Sequence, residues 1–167
     1  LLGYMGCGKS TIAKLLAKTT SISYLDLDEI IEKQENSSVK KLFSDKGEIY
    51  FRKLEHQILS ELIHNHDSFI LSLGGGTPCY SNNHEFLISE NVISIYLNAS
   101  AQTLYDRLIN SKSERPLIAD KNPEEMKEFI AKNLFDRSYY YNQAHYKISV
   151  DAKSVDEIIS EIETILA

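Results

Sequence analysis

Arginine is scarce in this chain, whose 167 residues include only four arginines against fourteen lysines. The four arginines are Arg52, Arg107, Arg115 and Arg137. The planar guanidinium fork binds a carboxylate or a phosphate through paired N–H groups, which a lysine ammonium group cannot do. A chain that uses so little arginine is expected to place it where that fork is required, so all four are candidates for binding an anion.

Other features are missing as well, and each excludes a class of protein. No apolar run approaches the length that crosses a bilayer, and the sequence shows no secretory signal, internal repeat or low-complexity linker. The formal net charge of −6 argues against nucleic acid or an anionic membrane as a partner. The two cysteines, Cys7 and Cys79, lack metal-ligand spacing, and a reduced, cytoplasmic setting is expected. The length predicts a single domain over residues 1–167.

What the sequence does contain is glycine in two clusters, which hold six of its seven glycines. The first cluster, "GYMGCGKS" at residues 3–10, matches the pattern G-x-x-x-x-G-K-[ST] of a phosphate-binding loop. Backbone N–H groups can line one concavity only where side chains are absent, and the following helix adds its N-terminal dipole. Lys9 would reach the β- and γ-phosphates and Ser10 would bind Mg²⁺. The alternative is a glycine-rich turn that merely precedes a helix.

Apolar segments alternate with helical patterns along the whole chain. Strands are predicted at residues 22–28, 68–76, 92–98 and 146–150, and the main helices at residues 9–18, 47–64, 123–141 and 155–166. The pair Leu1–Leu2 is expected to be a first strand cut short, with residues missing before it. Nearly continuous apolar strands between helices indicate an α/β fold with a parallel sheet covered on both faces. Ligands bind such sheets beyond the carboxyl ends of the strands.

Two acids follow the strand predicted at residues 22–28. Alternation along that strand would place Asp26 and Asp28 on the same side. One carboxylate would then hold Mg²⁺ through water, and the other would accept a proton from a substrate hydroxyl group. The alternative is a solvated strand end at which Asp28 caps the next helix.

The stretch "GEIYFRKLE" at residues 47–55 brings Glu48, Arg52 and Glu55 to one helical face. One interpretation is a surface ladder of ion pairs, worth a few tenths of a kcal/mol per pair. The other is that Glu55 holds the Arg52 guanidinium group so that it can bind an anionic substrate. The same helix is expected to turn Ile49 inward.

The second glycine cluster and two further arginines also have two interpretations each. Gly74, Gly75 and Gly76 end an apolar strand, where they allow a ligand or a neighbouring backbone to approach closely, or form a loose turn. Arg115 lies in a polar loop that either closes over a nucleotide or is simply solvated. Arg107 could stack on a base, whereas the tyrosines of "DRSYYY" at residues 136–141 are expected to pack in the core or at its rim.

Taken in order, these elements resemble the shikimate kinase family of the nucleoside-monophosphate-kinase-like P-loop proteins. The matching stretches are "GYMGCGKST", "DLD", "GEIYFRKLE", "LGGG", "RPL" and "FDRSYYY". The first stretch indicates only a P-loop protein, while "GEIYFRKLE" and the triple glycine are much more family-specific. The resemblance implies a five-stranded parallel sheet in the order 2-3-1-4-5, with residues 29–63 as the substrate-binding lobe and residues 110–122 as the lid.

The resemblance also implies an activity, the ATP-dependent phosphorylation of the 3-hydroxyl group of shikimate on the route to aromatic amino acids. It implies that ATP and Mg²⁺ are required, and a monomer that acts on a small molecule is expected. The residues implied for the ATP side are Gly6, Cys7, Gly8, Lys9, Ser10, Thr11, Arg107 beside adenine and Arg115 in the lid. The residues implied for shikimate are Asp28 as the base, Arg52 and Arg137 on the carboxylate, and Gly74, Gly75 and Gly76, with the Gly75 N–H as a donor. Those implied for Mg²⁺ are Ser10 and Asp26.

Two alternative functions are open to the sequence alone. One is a related P-loop kinase for another small polyol acid, such as gluconate, and a panel of substrates would separate the two kinases. The other is a catalytically silent ATP-binding module, which would have no need of Asp28, Arg52, Arg115 and Arg137 together.

Overall fold

The computed structural model describes residues 1–65, 67–110 and 117–167 of the chain. Its elements follow one another as α1 (Lys9–Thr20), β1 (Ser23–Asp26), α2 (Leu27–Glu35), α3 (Val39–His64), β2 (Phe69–Ser72), β3 (Ile95–Asn98), α4 (Ala101–Ile109), α5 (Pro123–Tyr141), β4 (Tyr146–Ser149) and α6 (Val155–Leu166). Two 3₁₀ segments, Thr77–Cys79 and Asn83–Ile88, lie between β2 and β3. Strands and helices alternate, as the hydrophobic pattern predicts.

The strands pair in parallel. Strand β1 runs beside β2, with Ser23 opposite Phe69, and β3 runs beside β4, with Ile95 opposite Tyr146. The first two residues lie between these pairs: the Leu73 N–H donates to the Leu1 carbonyl oxygen at 3.0 Å, and the Leu97 N–H donates to that of Leu2 at 2.9 Å. The parallel, helix-covered arrangement that the apolar strands predict is therefore present, and the carboxyl ends of the strands face one edge.

The core is built from aliphatic side chains on both faces of these strands. Ala13 and Leu16 of α1, Leu97 of β3, Leu104 of α4 and Ile162 of α6 are all buried. Helices α5 and α6 begin where predicted because each has a capping box, Asn122 with Glu125 and Ser154 with Glu157. These caps satisfy N–H groups that the helix itself leaves without acceptors.

Three expectations are wrong in detail. The strand predicted at residues 22–28 ends at Asp26, because the Asp26 side chain accepts the N–H groups of Asp28 and Glu29 and so begins α2 at once. Asp28 is therefore in the first turn of a helix, and the residue that caps the helix is Asp26. Ile49 does not face inward, since 77% of it is exposed.

Helix α3 has a break in its first half. Gly47 has φ 81° and ψ 167°, which are not helical values, and it separates residues 39–46 from the straight segment that carries Arg52. The predicted start of a helix at Gly47 corresponds to this break. No helix within residues 1–65, 67–110 and 117–167 is long and apolar enough to cross a membrane.

Candidate active site

The loop at residues 3–8 connects Leu2 to α1 and depends on glycine at both of its ends. Gly8 has φ 103°, a left-handed conformation that other residues rarely adopt. Gly3 has φ 142°, and a Cβ atom built on it would lie only 2.7 Å from the Leu97 carbonyl oxygen. Gly3 therefore allows the loop to approach β3 closely, and Gly8 allows the backbone conformation that leads into α1.

The N-terminus of α1 opens into a cavity of about 430 Å³ beside this loop. No side chain caps the helix at Gly8, and its first turn contains no acid. The N–H groups of that turn lack intrahelical acceptors and favour an anion. The cavity is lined by Met5, Gly6, Gly8, Lys9, Ser10, Thr11, Asp26, Asp28, Ser72, Leu73, Gly74, Gly75, Arg107 and Leu108.

Two cations at the cavity are held by backbone carbonyl groups of the loop itself. Lys9 Nζ donates to the carbonyl oxygens of Gly3 at 2.9 Å and Tyr4 at 3.0 Å. Arg107 Nη1 donates to those of Gly6 and Cys7, each at 3.3 Å. An ammonium group has three N–H donors, so Lys9 can keep these two carbonyl oxygens and offer a bound phosphate its third N–H group, which approaches only Cys7 Sγ at 3.9 Å.

Asp26 is surrounded by donors. Its Oδ1 accepts the N–H groups of Asp28 at 3.0 Å and Glu29 at 3.3 Å, and its Oδ2 accepts the hydroxyl groups of Ser10 and Tyr24, each at 3.2 Å. The Ser10 hydroxyl and an Asp26 carboxylate oxygen thus meet at the cavity wall. Oxygen ligands of this kind suit Mg²⁺, which is usually held by one or two carboxylates together with substrate phosphates.

Asp28 differs from Asp26 in its environment. Burial, reinforced by the negative charges of Asp26 and Glu55 and opposed by Lys9, raises the pKa of Asp28 to about 6. A carboxylate with a pKa this close to neutrality is a better proton acceptor than an ordinary aspartate. The structure therefore brings Asp28 to the cavity in a form suited to acid–base chemistry.

Each glycine of the triple glycine lies against a different candidate site residue. A Cβ atom built on Gly74 would lie 3.2 Å from Asp28 Oδ1, one on Gly75 would lie 3.4 Å from Arg137 Nη1, and one on Gly76 would lie 2.8 Å from Arg52 Nη2. Each glycine thus leaves room for a different ionic group. Of the two interpretations of this cluster, close approach is the one that the geometry matches.

Arg52 is held from several sides. Its Nη1 donates to Glu55 Oε2 at 2.8 Å, its Nε lies 3.4 Å from Glu48 Oε1, and its guanidinium group stacks 3.9 Å from the centre of the Tyr80 ring. Glu55 is almost completely buried, so this pair is not part of an exposed surface ladder. The ion pairs that the spacing of "GEIYFRKLE" predicts are confirmed in the geometry.

Arg137 lies on the other side of the glycine tract. Its guanidinium group is 5.3 Å from the centre of the Tyr4 ring. Tyr141, four residues further along α5, is fully buried and donates its hydroxyl group to the Gly75 carbonyl oxygen. Tyr141 packs in the core, as expected of these tyrosines, and in addition fixes the central glycine.

Most of the predicted site residues come together at this edge of the sheet. Asp26, Asp28 and Arg107 line the same cavity as the phosphate loop, and Arg52 and Arg137 lie beside the triple glycine, of which Gly74 and Gly75 line that cavity. Cys7 stands apart, because its side chain is buried and its N–H donates to the Tyr4 carbonyl oxygen at 3.2 Å. Arg115 lies outside the described residues.

Two residues that contact Arg52 or Glu55 are not among the predicted site residues. Tyr80 stacks on the guanidinium group, and the Thr77 hydroxyl group donates to Glu55 at 2.7 Å. Thr77 directly follows the triple glycine in the chain, and Tyr80 comes three residues after Thr77. Their position beside a candidate binding segment was the only signal in the sequence that could have drawn attention to them.

The chain is similar to a known family along nearly its whole length. Residues 5–167 match the family model described as shikimate kinase. A shikimate kinase of Flavobacterium johnsoniae is 58% identical over 167 residues, covering 100% of this chain and 97% of that protein. A shikimate kinase of Flavobacterium psychrophilum is 49% identical over 166 residues, covering 99% and 96%.

Solved structures agree with these relatives. The crystal structure of shikimate kinase from Bacteroides thetaiotaomicron has a TM-score of 0.90 at 32% identity, covering 99% of this chain and 96% of that one. Shikimate kinase from Acinetobacter baumannii in complex with shikimate has a TM-score of 0.84 at 30% identity, covering 99% and 89%. The fold is therefore the α/β fold of these enzymes, and the chain belongs to the shikimate kinase family, whose activity is the ATP-dependent phosphorylation of shikimate in aromatic amino-acid biosynthesis.

Proposed function

We propose that this chain transfers the γ-phosphoryl group of ATP to the 3-hydroxyl group of shikimate, with Asp28 as the base and Arg52 and Arg137 on the substrate carboxylate. The observation that carries the proposal is the order of contacts along the triple glycine. Asp28, Arg137 and Arg52 lie against Gly74, Gly75 and Gly76 in turn, and Asp28, Gly74 and Gly75 line the phosphate-loop cavity. A ring that bears a hydroxyl group and a carboxylate would span these groups.

On the ATP side, the N–H groups of residues 6–11 and the Lys9 ammonium group would bind the phosphates. Lys9 Nζ donates to the carbonyl oxygens of Gly3 and Tyr4 within 3.0 Å, and its remaining N–H group would be offered to the phosphates. Arg107 already contacts the loop through Gly6 and Cys7, and we propose that its guanidinium group lies against adenine. The lid at residues 110–122 would bring Arg115 to the transferring phosphate and exclude water.

Mg²⁺ fits the oxygen donors at Ser10 and Asp26. When bound, it would neutralise charge on the phosphates. The Ser10 hydroxyl group would bind it directly and the Asp26 carboxylate through water. Ser10 Oγ lies 3.2 Å from Asp26 Oδ2, so a single ion site can use both.

The chemical step follows from these positions. Asp28 accepts the proton of the shikimate 3-hydroxyl group as its oxygen forms a bond to the γ-phosphorus in line with the leaving group. The bond from the γ-phosphorus to the β–γ bridging oxygen breaks, and that oxygen leaves with ADP. Lys9 and Arg115 offset the charge on the transferring group, so positioning and electrostatics provide most of the rate enhancement.

The wider architecture is also part of the proposal. We propose a five-stranded parallel sheet in the order 2-3-1-4-5, in which residues 1–2 are strand 1 and the strands β1, β2, β3 and β4 are strands 2, 3, 4 and 5. The hydrogen bonds of Leu1 with Leu73 and of Leu2 with Leu97 support this order, because they link residues 1–2 to the chain that follows β2 and to β3. Residues 29–63 would be the substrate-binding lobe of a single domain. The free Cys7 and Cys79 fit a reduced cytoplasmic setting, and the acidic balance fits a monomer that binds a small molecule and neither nucleic acid nor membrane.

The variant Arg52→Lys tests the carboxylate role. It keeps the charge but loses the fork, and the loss of a charge-assisted hydrogen bond predicts an increase of about 10- to 100-fold in the shikimate KM. The ATP KM should stay near that of the parent. Initial rates in a coupled ADP-release assay measure both constants.

The matched control is Lys53→Ala, the exposed cation next to Arg52 on α3. It should leave both constants unchanged. A shikimate KM that does not move in Arg52→Lys would contradict the proposed clamp.

A further inference from the structure

The carboxylate that holds Arg52 is itself held by a buried hydroxyl group. Thr77 Oγ1 donates to Glu55 Oε1 at 2.7 Å, while Glu55 Oε2 accepts from Arg52 Nη1 at 2.8 Å. Glu55 and Thr77 are both buried, with exposures of 1% and 0%. One carboxylate therefore bridges a surface-accessible cation and an interior hydroxyl group, with one oxygen for each.

Thr77 cannot move freely, because its backbone is tied at both ends. Its N–H donates to the Gly74 carbonyl oxygen at 3.1 Å, and its own carbonyl oxygen accepts from Asn83 Nδ2 at 2.9 Å. Asn83 is fully buried, and its Oδ1 lies 2.7 Å from His56 Nδ1. Because a carbonyl oxygen can only accept, the Asn83 amide orientation is fixed, and His56 Nδ1 must be the donor.

These contacts form a continuous polar path through the interior from His56 to Arg52. Along this path each donor faces an acceptor, so the buried side-chain atoms that form it all have hydrogen-bond partners. If the Thr77 hydroxyl group were removed, Glu55 Oε1 would keep a buried charge without that donor. The carboxylate would then turn toward other donors and would no longer present Oε2 to Arg52 in the same direction.

We infer that Thr77, anchored by Asn83, is a positioning residue that sets the orientation of Arg52 through Glu55 and thereby governs the affinity for the substrate carboxylate. The inference rests on the proposed role of Arg52 in binding shikimate. It assigns to Thr77 no contact with either substrate. Its effect should therefore appear in shikimate binding and not in ATP binding.

The test compares Thr77→Val, which keeps the shape and removes the hydroxyl group, with Thr77→Ser, which keeps the hydroxyl group. Loss of a hydrogen bond to a charged group predicts an increase of about 5- to 30-fold in the shikimate KM for Thr77→Val. Thr77→Ser should stay within about twofold of the parent. The ATP KM should be unchanged in both, and calorimetric titration with shikimate should give the same order of affinities.

A control variant separates positioning from general loss of stability. Ser94→Ala removes another buried hydroxyl group, one that donates to the Leu87 carbonyl oxygen at 2.6 Å, outside the residues that line the site cavity. It should lower the melting temperature without raising the shikimate KM. If Thr77→Val behaves in the same way, with a lower melting temperature and a parental shikimate KM, the inference is overturned.

The double variant Thr77→Val/Arg52→Lys tests the route of the effect. If Thr77 acts through Arg52, the double variant should have a shikimate KM close to that of Arg52→Lys alone. Independent, multiplicative increases would overturn the inference while leaving the role of Arg52 intact. An unchanged KM in Arg52→Lys would instead overturn the proposed clamp and the inference together.

If Thr77→Val does not fold, Thr77→Cys takes its place, since the thiol group has a similar size and is a weak donor. An increase in the shikimate KM relative to Thr77→Ser supports the inference. Equal values for the two variants overturn it.

Discussion

The two ends of the candidate site are built on different principles. At the phosphate end, the binding groups are mostly backbone N–H groups, and Lys9 and Arg107 are occupied by carbonyl oxygens of the loop. At the carboxylate end, the binding groups are side chains, and Arg52 is held by a buried carboxylate and an aromatic ring. Contacts within the chain thus hold the first end through the loop backbone and the second end through side chains.

The two kinds of binding site differ in how far apart their residues lie in the sequence. A phosphate can be bound by any chain segment whose backbone is bare and correctly turned, so its determinants lie close together in sequence. A carboxylate bound by a guanidinium fork needs a fixed plane, which requires partners from several elements. Asp28 lies near both ends, because it lines the cavity with Lys9 and also lies against Gly74.

The largest effect is expected where the ends meet. Asp28→Asn keeps the size of the side chain and removes the proton acceptor, so turnover should fall by about 10²- to 10⁴-fold. The affinity for ATP should be nearly intact, because Asp28 contacts the acceptor side. A coupled ADP-release assay together with ATP calorimetry measures both quantities, and unchanged turnover would refute the role of Asp28 as base.

The same residue predicts a pH dependence. Burial raises the pKa of Asp28 from 3.8 to about 6, so kcat/KM should fall roughly tenfold per pH unit below about pH 6. The raised pKa also means that Asp28 favours folding below about pH 4 and that this contribution is lost as the pH rises to about 6. The substitution Asp28→Asn should therefore stabilise the protein at pH 8, by up to about 3 kcal/mol, and by little at pH 4. Thermal unfolding of this variant and of the parent at both pH values checks the sign.

A smaller effect, confined to the phosphate end, is expected from Lys9→Met. Loss of the charge that faces the β- and γ-phosphates should lower kcat by about 10²- to 10³-fold. Shikimate binding without nucleotide should be nearly unchanged in calorimetry, because Lys9 makes its hydrogen bonds within the loop, to Gly3, Tyr4 and, at 3.9 Å, the Cys7 sulfur. Lys14→Met, at an exposed position one turn along α1, is the control that should leave kcat unaltered. A strong loss of shikimate affinity in Lys9→Met would break the separation of the two ends.

A modest effect, confined to the carboxylate end, is expected from Tyr80→Leu. The ring stacks 3.9 Å from the Arg52 guanidinium group and is 38% exposed, so its removal should raise the shikimate KM by about two- to fivefold. Tyr80→Phe keeps the aromatic face and should behave as the parent does. Steady-state kinetics at saturating ATP distinguishes the two variants, and equal increases in both would assign the effect to the hydroxyl group instead of the ring.

The smallest effect is expected from Tyr4→Phe. The Tyr4 hydroxyl group is buried and has no hydrogen-bond partner among the described residues, so deleting it should not destabilise the fold and should add up to about 1 kcal/mol of stability. Turnover should change less than twofold, because the ring face toward Arg137 is retained. Chemical denaturation compares the two proteins, and a marked loss of stability would reveal a partner for the hydroxyl group.

The sequence predicts the parts of the site that depend on neighbours in the chain. The phosphate loop, the pairing of Arg52 with Glu55 and the triple glycine are all local patterns, and their geometry follows from helix and loop rules. Thr77 and Tyr80 carry no such pattern. Their roles arise from contacts with α3 across more than twenty residues of chain, and no spacing rule connects them to Glu55 and Arg52.

Local patterns likewise predict some bounds of the helices and strands and not others. The bounds of α5 and α6 are predictable because their capping boxes are local. The end of β1 is not, since Asp26 can extend a strand or cap a helix, and its side-chain hydrogen bonds to the N–H groups of Asp28 and Glu29 decide between them. Ile49 is exposed because the helical repeat of the buried residues Phe51, Leu54 and Ile58 places it on the opposite face of α3.

The triple glycine also bears on inhibitor resistance. A mutation that excludes an inhibitor usually adds bulk where the inhibitor sits and the substrate does not. At Gly74 and Gly76 an added Cβ atom would lie 2.9 Å from Thr77 Oγ1 or 2.8 Å from Arg52 Nη2, the two side chains for which we propose roles in binding the substrate carboxylate. A substitution at either position that excluded an inhibitor would therefore be expected to weaken shikimate binding as well.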